Sequence, residues 1–255
     1  MFPITQSLVA GIDVGGPAKG FHAVALQDRR LVAKHASRSA SEIAAWCVKL
    51  DASVIAIDAP CHWRSDGGPA RAAEVQLARA GISSYSTPTE EKGSGHAFYT
   101  WMLAGMELFS ALAPSHSLYD GTSPPARVCI ETFPQAVACA LAGKIVSAKA
   151  KAVVRRALLE EGGLRASSFS NIDEVDAALC AIAADRFARG DFRAFGDKVC
   201  GFIVVPSGPI LAAEPRQKAT PNRNNLIDEI LPRLGHLNHA ELLMLRSRLE
   251  EMLDA

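Results

Sequence analysis

Four acidic residues stand where an apolar run ends or where a helix begins. Three short apolar runs, each bounded by Gly or Pro, end in Asp13, Asp58 and Glu131. The fourth acid, Asp176, follows in the segment Asn-Ile-Asp-Glu-Val-Asp at residues 171–176. We expect each run to be a buried strand that ends in its acid. Because the carboxyl ends of parallel strands meet at one edge of a sheet, these acids are predicted to gather there.

Gathered carboxylates repel one another, and a divalent cation such as Mg²⁺ or Mn²⁺ relieves that repulsion. Asp173 and Asp176 are three residues apart on a predicted helix, so both can point at one cation, whereas Glu174 is rotated away. In two-metal sites the ions stand about 3.5–4 Å apart, and one activates water while the other stabilises the leaving oxygen of a phosphodiester. We expect Asp13 to bridge two such ions, with Asp58 and Asp176 on either side.

Glu131 is expected to complete this ligand set or to orient the attacking water. The predicted catalytic residues are therefore Asp13, Asp58, Glu131 and Asp176, and the predicted metal ligands are the same four together with Asp173.

Basic residues that could hold backbone phosphates follow Glu131 along the chain. Five of them occur with no acid in between, at Lys144, Lys149, Lys151, Arg155 and Arg156. Arg71, after a Gly-Gly-Pro segment, is expected near the same sheet edge. The sequence thus predicts nucleic-acid contacts by Lys149, Lys151, Arg155 and Arg71.

The overall charge excludes a global basic field. Lys and Arg number 27, as do Asp and Glu, so any contact with nucleic acid must come from a local patch. The six cysteines form no C-x-x-C pair and no zinc-like cluster with histidine, which is typical of reduced thiols in a cytoplasmic protein. No apolar run approaches the roughly 20 residues of a membrane span, so no membrane partner is expected.

The apolar periodicity predicts an α/β domain over residues 1–208. Strands at 8–14, 21–26 and 30–35 have short connections and should form an antiparallel meander. Further strands are predicted at 54–58, 128–131 and 201–206, the last as an edge strand because Pro206 cannot donate to another ladder. Helices are predicted at 69–80, 97–112, 135–141, 148–160 and 172–189, with another ending at Leu50.

The composition changes after Pro206. Prolines and polar residues predict a flexible linker at 209–225, and two amphipathic segments predict a helical hairpin at 226–255. A hairpin that small cannot bury its apolar face alone. We expect it to pack on a second copy as a homodimer, with docking on its own domain as the alternative.

The order of strands and acids resembles the ribonuclease H-like fold, as a mixed sheet with an antiparallel three-strand meander, parallel strands and flanking helices. Over residues 8–206 the chain resembles an uncharacterised family of predicted ribonuclease H-like nucleases, a domain of unknown function. The motifs that carry this resemblance are Ala56-Ile-Asp58-Ala-Pro60, Pro69-Ala-Arg71-Ala-Ala-Glu74, Glu131-Thr-Phe-Pro134 and Asp173-Glu-Val-Asp176. The stretch from Glu131 to Asp176 is also similar to Holliday-junction resolvases of this fold, which implies that the paired acids on the last helix complete a metal site.

Ordinary structural roles remain open for these residues. Asp13 and Asp58 can serve turns, as can Glu131 before its Phe-Pro pair. Asn171 and Glu174 can form a capping box, beside which Asp173 would complement the helix dipole. The basic run can be a solvated helix face, and Arg71 with Glu74 can be a simple intrahelical ion pair.

Two other classes of function also remain. The segment Gly11-Ile-Asp13-Val-Gly15-Gly16 resembles the first phosphate-binding loop of sugar kinases and related ATPases, but the chain lacks a second such loop. A member of the fold can also bind a nucleic acid or nucleotide without cutting it. Of these functions we favour that of a metal-dependent nuclease that uses Mg²⁺ or Mn²⁺.

Overall fold

The computed structural model describes residues 7–65 and 67–208. The predicted linker at 209–225, the predicted helical hairpin at 226–255 and the homodimer contact assigned to it lie outside the described residues.

The described chain contains one mixed sheet of eight strands. Their bounds are β1 Leu8–Val14, β2 Phe21–Gln27, β3 Arg30–Ser37, β4 Val54–Asp58, β5 Ser117–Leu118, β6 Val128–Glu131, β7 Phe192–Asp197 and β8 Gly201–Pro206. The main path of the sheet runs β3-β2-β1-β4-β6-β8-β7, and β5 pairs with β6 beside it. The meander β1–β3 is antiparallel, as expected, whereas β1, β4, β6 and β8 run parallel. The predicted α/β fold class is confirmed.

Seven α-helices flank this sheet in the described residues. They are α1 Ala40–Lys49, α2 Ala72–Arg79, α3 Glu90–Gly93, α4 Thr100–Leu112, α5 Pro134–Ala142, α6 Lys151–Glu161 and α7 Ile172–Ala188. Apolar residues of α1 and α4 cover one face of the sheet, and those of α2, α5, α6 and α7 cover the other. The parallel strands at the centre of the sheet are therefore buried on both faces, which explains their continuous apolar runs.

Helix α7 lies unusually close to the centre of the sheet. Five of its eleven buried residues are alanine, and a Cβ atom on Gly11 of β1 would lie only 2.0 Å from the backbone nitrogen of Ala181. No side chain at residue 11 would fit. This close approach carries the acidic start of α7 towards the carboxyl ends of β1 and β4.

The prediction that residues 201–206 form an edge strand is wrong. β7, which the sequence did not predict, takes the edge and pairs antiparallel with β8, with Phe192 opposite Pro206. The Asp197 carboxylate accepts hydrogen bonds from the amides of Val199 and Cys200 and so closes the turn between the two strands. Pro206 is the last residue of β8, where its missing N–H costs little.

Candidate functional site

Asp13 and Asp58 lie side by side at the carboxyl ends of neighbouring parallel strands. The two residues are direct partners in the register of β1 and β4. Gly11 shares the face of Asp13 because successive side chains of a strand alternate, and Gly11 contacts α7. Both carboxylates therefore belong to the α7 face of the sheet.

The first turns of α7 bring two further acids to the same place. The Asn171 side chain accepts a hydrogen bond from the Glu174 amide at 2.8 Å and fixes the start of the helix. Asp173 is bound by Lys19 Nζ at 2.9 Å, and Asp176 is 96% buried. Glu174 turns away, as its helical spacing predicted, and pairs with Lys34 at 2.7 Å.

The proximity of these acids affects the pKa values of Asp13 and Asp58. Burial, together with the charges of Asp176 and Asp173, raises the pKa of Asp13 from 3.8 to about 7, against the opposing charges of Lys19 and Lys151. Burial likewise raises the pKa of Asp58 well above its usual range, with Asp13 and Asp176 adding to the effect. The carboxylates thus form one electrostatically coupled group, as expected if the sheet edge gathers them.

Two cationic side chains lie directly on Asp176. Arg155 Nη1 donates to Asp176 Oδ1, and Lys151 Nζ lies 3.4 Å from Asp176 Oδ2. Arg155 Nη2 also donates to the side-chain oxygen of Gln135 at 3.0 Å. One acid of the group is therefore already neutralised by the chain's own cations.

The donor chemistry of this group fits Mg²⁺ or Mn²⁺, since hard divalent cations prefer carboxylate oxygen. The arrangement is not preassembled, however. Among residues 7–65 and 67–208, no three His, Cys, Asp or Glu side chains are placed to hold a metal ion. A cation that used Asp176 would have to compete with Arg155 for the carboxylate.

Glu131 leaves its strand on the other face of the sheet from Asp58, although its charge still helps to raise the pKa of Asp58. It is the register partner of Ile57, one residue before Asp58, so its side chain points to the opposite face. There Arg71 binds it through two nitrogens, with Nη1 to Oε2 at 2.9 Å, and the amide of Cys61 donates to Oε2 at 3.0 Å. Both carboxylate oxygens of Glu131 are thus engaged by the protein itself.

The predicted basic residues divide into two groups. Arg71 and Arg155 are buried in ion pairs, with only 1% and 5% of their surface exposed, so Arg155 does not belong to a solvated helix face. An arginine can enter the interior because its guanidinium pairs with a carboxylate through two nitrogens. Lys149 is exposed and Lys151 is half-buried beside Asp176, which leaves these two lysines accessible to a substrate.

Sequence reasoning missed Lys19. It lies in the turn between β1 and β2 and contacts Asp173, 154 residues away in the chain. A lone lysine in a Gly-Pro-Ala-Lys-Gly turn carries no signal of such a partner. It adds a third cation to the acidic group.

It also missed a cavity of about 170 Å³ that opens beside Asp58. The aromatic residues Tyr85, Trp101 and Phe133 contribute to its walls. They lie in a loop, in α4 and just after β6, so no short sequence pattern predicts that they meet.

Comparisons with known proteins identify a family. No curated protein matches this sequence. A structure described as Thermus thermophilus RuvC is similar at 16% identity and a TM-score of 0.40, over 72% of this chain and 96% of that chain. No helix in the described part of the chain is long and apolar enough to cross a membrane. The profile of one family, described as "Protein of unknown function (DUF429)", matches residues 11–199, which include all four predicted acids. The chain therefore belongs to the DUF429 family.

Proposed function

We propose that this protein is a metal-dependent nuclease that hydrolyses phosphodiester bonds of nucleic acid. Asp13, Asp58 and Asp176 are the proposed catalytic ligands for Mg²⁺ or Mn²⁺, with Asp173 as a further ligand. The observation that carries the proposal is the coupled group of carboxylates at the sheet edge, in which burial and mutual repulsion hold the pKa of Asp13 near 7. A folded protein retains such repulsion at a functional site more readily than elsewhere.

A bound divalent cation would lower the pKa of water and balance the charge of a phosphodiester under attack. The chain's own residues position that substrate. Lys151 offers a cationic group to a backbone phosphate next to Asp176, and Lys19 does so next to Asp173. Lys149, two residues before Lys151 and exposed, offers a further one. Glu131 is bound by Arg71, so we propose that it fixes the end of β6 and does not bind the metal ion.

One observation favours a second candidate, a domain that binds nucleic acid without cutting it. Arg155 and Lys151 neutralise the charge of Asp176 within the protein, so this acid needs no metal ion to offset its charge. In that case binding of nucleic acid would be independent of Mg²⁺ and Mn²⁺.

The site of action that we propose is the cytoplasm. All six cysteines are buried and free, which suits a reducing compartment.

The deciding experiment is an assay with single-stranded, duplex and branched DNA and RNA, in EDTA, Mg²⁺ and Mn²⁺. We expect cleavage only with metal, and none by the Asp13→Asn variant in any condition. The exposed turn variant Asp28→Asn is the matched control and should cleave like the wild type. Metal-independent binding without cleavage of any substrate would favour the non-catalytic candidate.

A further inference from the structure

The cavity beside Asp58 adjoins the carboxylate group and shares Asp58 with it. Its volume is about 170 Å³, below the roughly 300 Å³ at which pockets for drug-sized ligands begin. Tyr85, Trp101 and Phe133 form part of its walls, and Asp58 stands at its border. A flat ring of modest size that enters here would therefore lie next to the proposed reaction centre.

Aromatic side chains continue from this cavity onto the surface. Tyr85 is 67% exposed and Phe98 is 49% exposed, and their rings contact edge to face at 5.5 Å between centroids. Phe98 contacts Tyr99 in the same way at 5.1 Å. Large aromatic residues are seldom left this exposed together on a protein surface without a binding partner.

The loop that carries Tyr85 is fixed by a buried polar network. The amide and hydroxyl of Thr87 both donate to Glu74 Oε1, at 3.0 and 2.5 Å. Glu74 is bound in turn by Arg71, which also binds Glu131 at the end of β6. This network links the loop of Tyr85 to β6, the strand next to Asp58. It also gives Arg71 and Glu131 a structural role, which is to hold that loop, in place of metal binding or phosphate contact.

The charges around the cavity restrict what it can take. Its ionisable wall residues are Asp58, Glu74, Glu131 and one cation, Arg71. Arg71 is already engaged by both glutamates, so it cannot receive a phosphate without breaking a buried pair. A phosphate is thus disfavoured inside, whereas an uncharged aromatic ring can stack on the walls, with Ser84 and Asp58 available to its polar edge.

We propose that this cavity receives one unpaired nucleobase of a nucleic-acid strand, while the neighbouring phosphate lies at the carboxylate group. The proposal rests on the nuclease function proposed above and specifies its substrate class as single-stranded or locally unpaired nucleic acid. A base inside a duplex is stacked on both sides and cannot enter without being turned out of the helix. Stacking on aromatic side chains depends little on base identity, so we expect little sequence preference.

The test compares Tyr85→Ala, Tyr85→Phe and wild type in binding to labelled single strands and duplexes of the same sequence, measured by fluorescence anisotropy in EDTA across a salt titration. We expect wild type to prefer the single strand, and Tyr85→Ala to bind it about tenfold more weakly with an unchanged salt slope, since stacking involves no phosphate. Tyr85→Phe should bind like wild type because its ring remains. Val48→Ala, an exposed apolar substitution on α1, is the control for nonspecific loss of apolar surface.

Equal binding of the single strand by Tyr85→Ala and wild type, or equal affinity of wild type for duplex and single strand, would overturn the nucleobase site. Metal-dependent cleavage alongside either result would leave the nuclease proposal standing. If wild type neither binds nor cuts any oligonucleotide with or without metal, the nuclease function itself fails and the nucleobase site fails with it.

Discussion

Asp13 and Asp58 are direct partners across the parallel strands β1 and β4, at the carboxyl ends of both. Burial and mutual repulsion raise the pKa of each, and Asp176 adds its charge from the start of α7. Two acids held in this way store unfavourable free energy in the folded protein. That energy can be relieved by a proton, by a metal ion or by substitution.

The first prediction concerns pH. Without metal, folded Asp13 keeps its proton up to about pH 7, whereas the unfolded chain releases it near its ordinary pKa of 3.8. The melting temperature of the metal-free protein should therefore fall between about pH 4 and pH 7, because the unfolded chain ionises first and is favoured as protons are withdrawn. Asp58 should act in the same direction.

Asp13→Asn removes one of these groups. Its melting temperature in EDTA should exceed that of wild type above pH 7, and its decline with pH should be shallower. Mn²⁺ should stabilise wild type at that pH but leave the variant nearly unchanged, and the variant should show no cleavage. Calorimetry with Asp28→Asn as control checks this; a destabilised Asp13→Asn protein or one with full activity would refute the assignment.

The second prediction concerns Arg155. Replacing it with Met leaves Asp176 buried without its main partner and should cost about 3–5 kcal/mol. Lys151→Met should cost at most about 1 kcal/mol, because that lysine is 44% exposed.

Mn²⁺ should recover part of the stability of Arg155→Met if Asp176 can bind a cation. Denaturant unfolding with and without Mn²⁺ measures this recovery. No recovery would mean that the pair is purely structural, and the non-catalytic candidate would then be preferred.

The third prediction concerns phosphate contacts. Replacing Lys149 and Lys151 together with alanine should weaken binding of all sequences alike and reduce the salt slope by about 2. Lys49→Ala is the matched control, since Lys49 is exposed on α1 across the sheet. An unchanged slope in the double variant would show that this surface is only a solvated face.

The fourth prediction separates two roles for Glu131. If Glu131 serves in the buried network with Arg71, the Glu131→Gln variant should lose about 3–5 kcal/mol of stability and should still be stabilised by Mn²⁺. If Glu131 is instead a metal ligand, the same variant should keep its stability and lose the stabilisation by Mn²⁺. Thermal melting in EDTA and in Mn²⁺ distinguishes them, and a double-mutant cycle with Arg71→Met measures the coupling of the pair.

The fifth prediction concerns residues 209–255. Removing them should leave the Mn²⁺ response intact, since every proposed ligand precedes them. If the predicted hairpin at 226–255 mediates self-association, the full chain should sediment as a dimer and the shortened chain as a monomer. A monomeric full chain whose shortened form melts at a much lower temperature would instead indicate docking on its own domain.

Local sequence patterns were sufficient to predict the central strands and two acids of the site. Apolar runs bounded by Gly and Pro predicted β1, β4 and β6, and short connections predicted the antiparallel meander. Asp13 and Asp58 could be placed together because strand ends carry their acids to a common edge whatever the details of packing. The separation of Asp173 from Glu174 on α7 likewise follows from helical spacing alone.

Which other side chains reach that edge depends on strand register and on packing between distant segments. Glu131 ends its strand as Asp58 does, but the register between β4 and β6 turns it to the opposite face, and a shift of one residue would reverse this. Arg155 looks like a surface cation in its own helix, yet packing of α6 against α7 buries it on Asp176. Lys19 and the aromatic cavity come from segments far apart in the chain. Such contacts depend on long-range pairing and burial, for which neighbouring residues carry no signal.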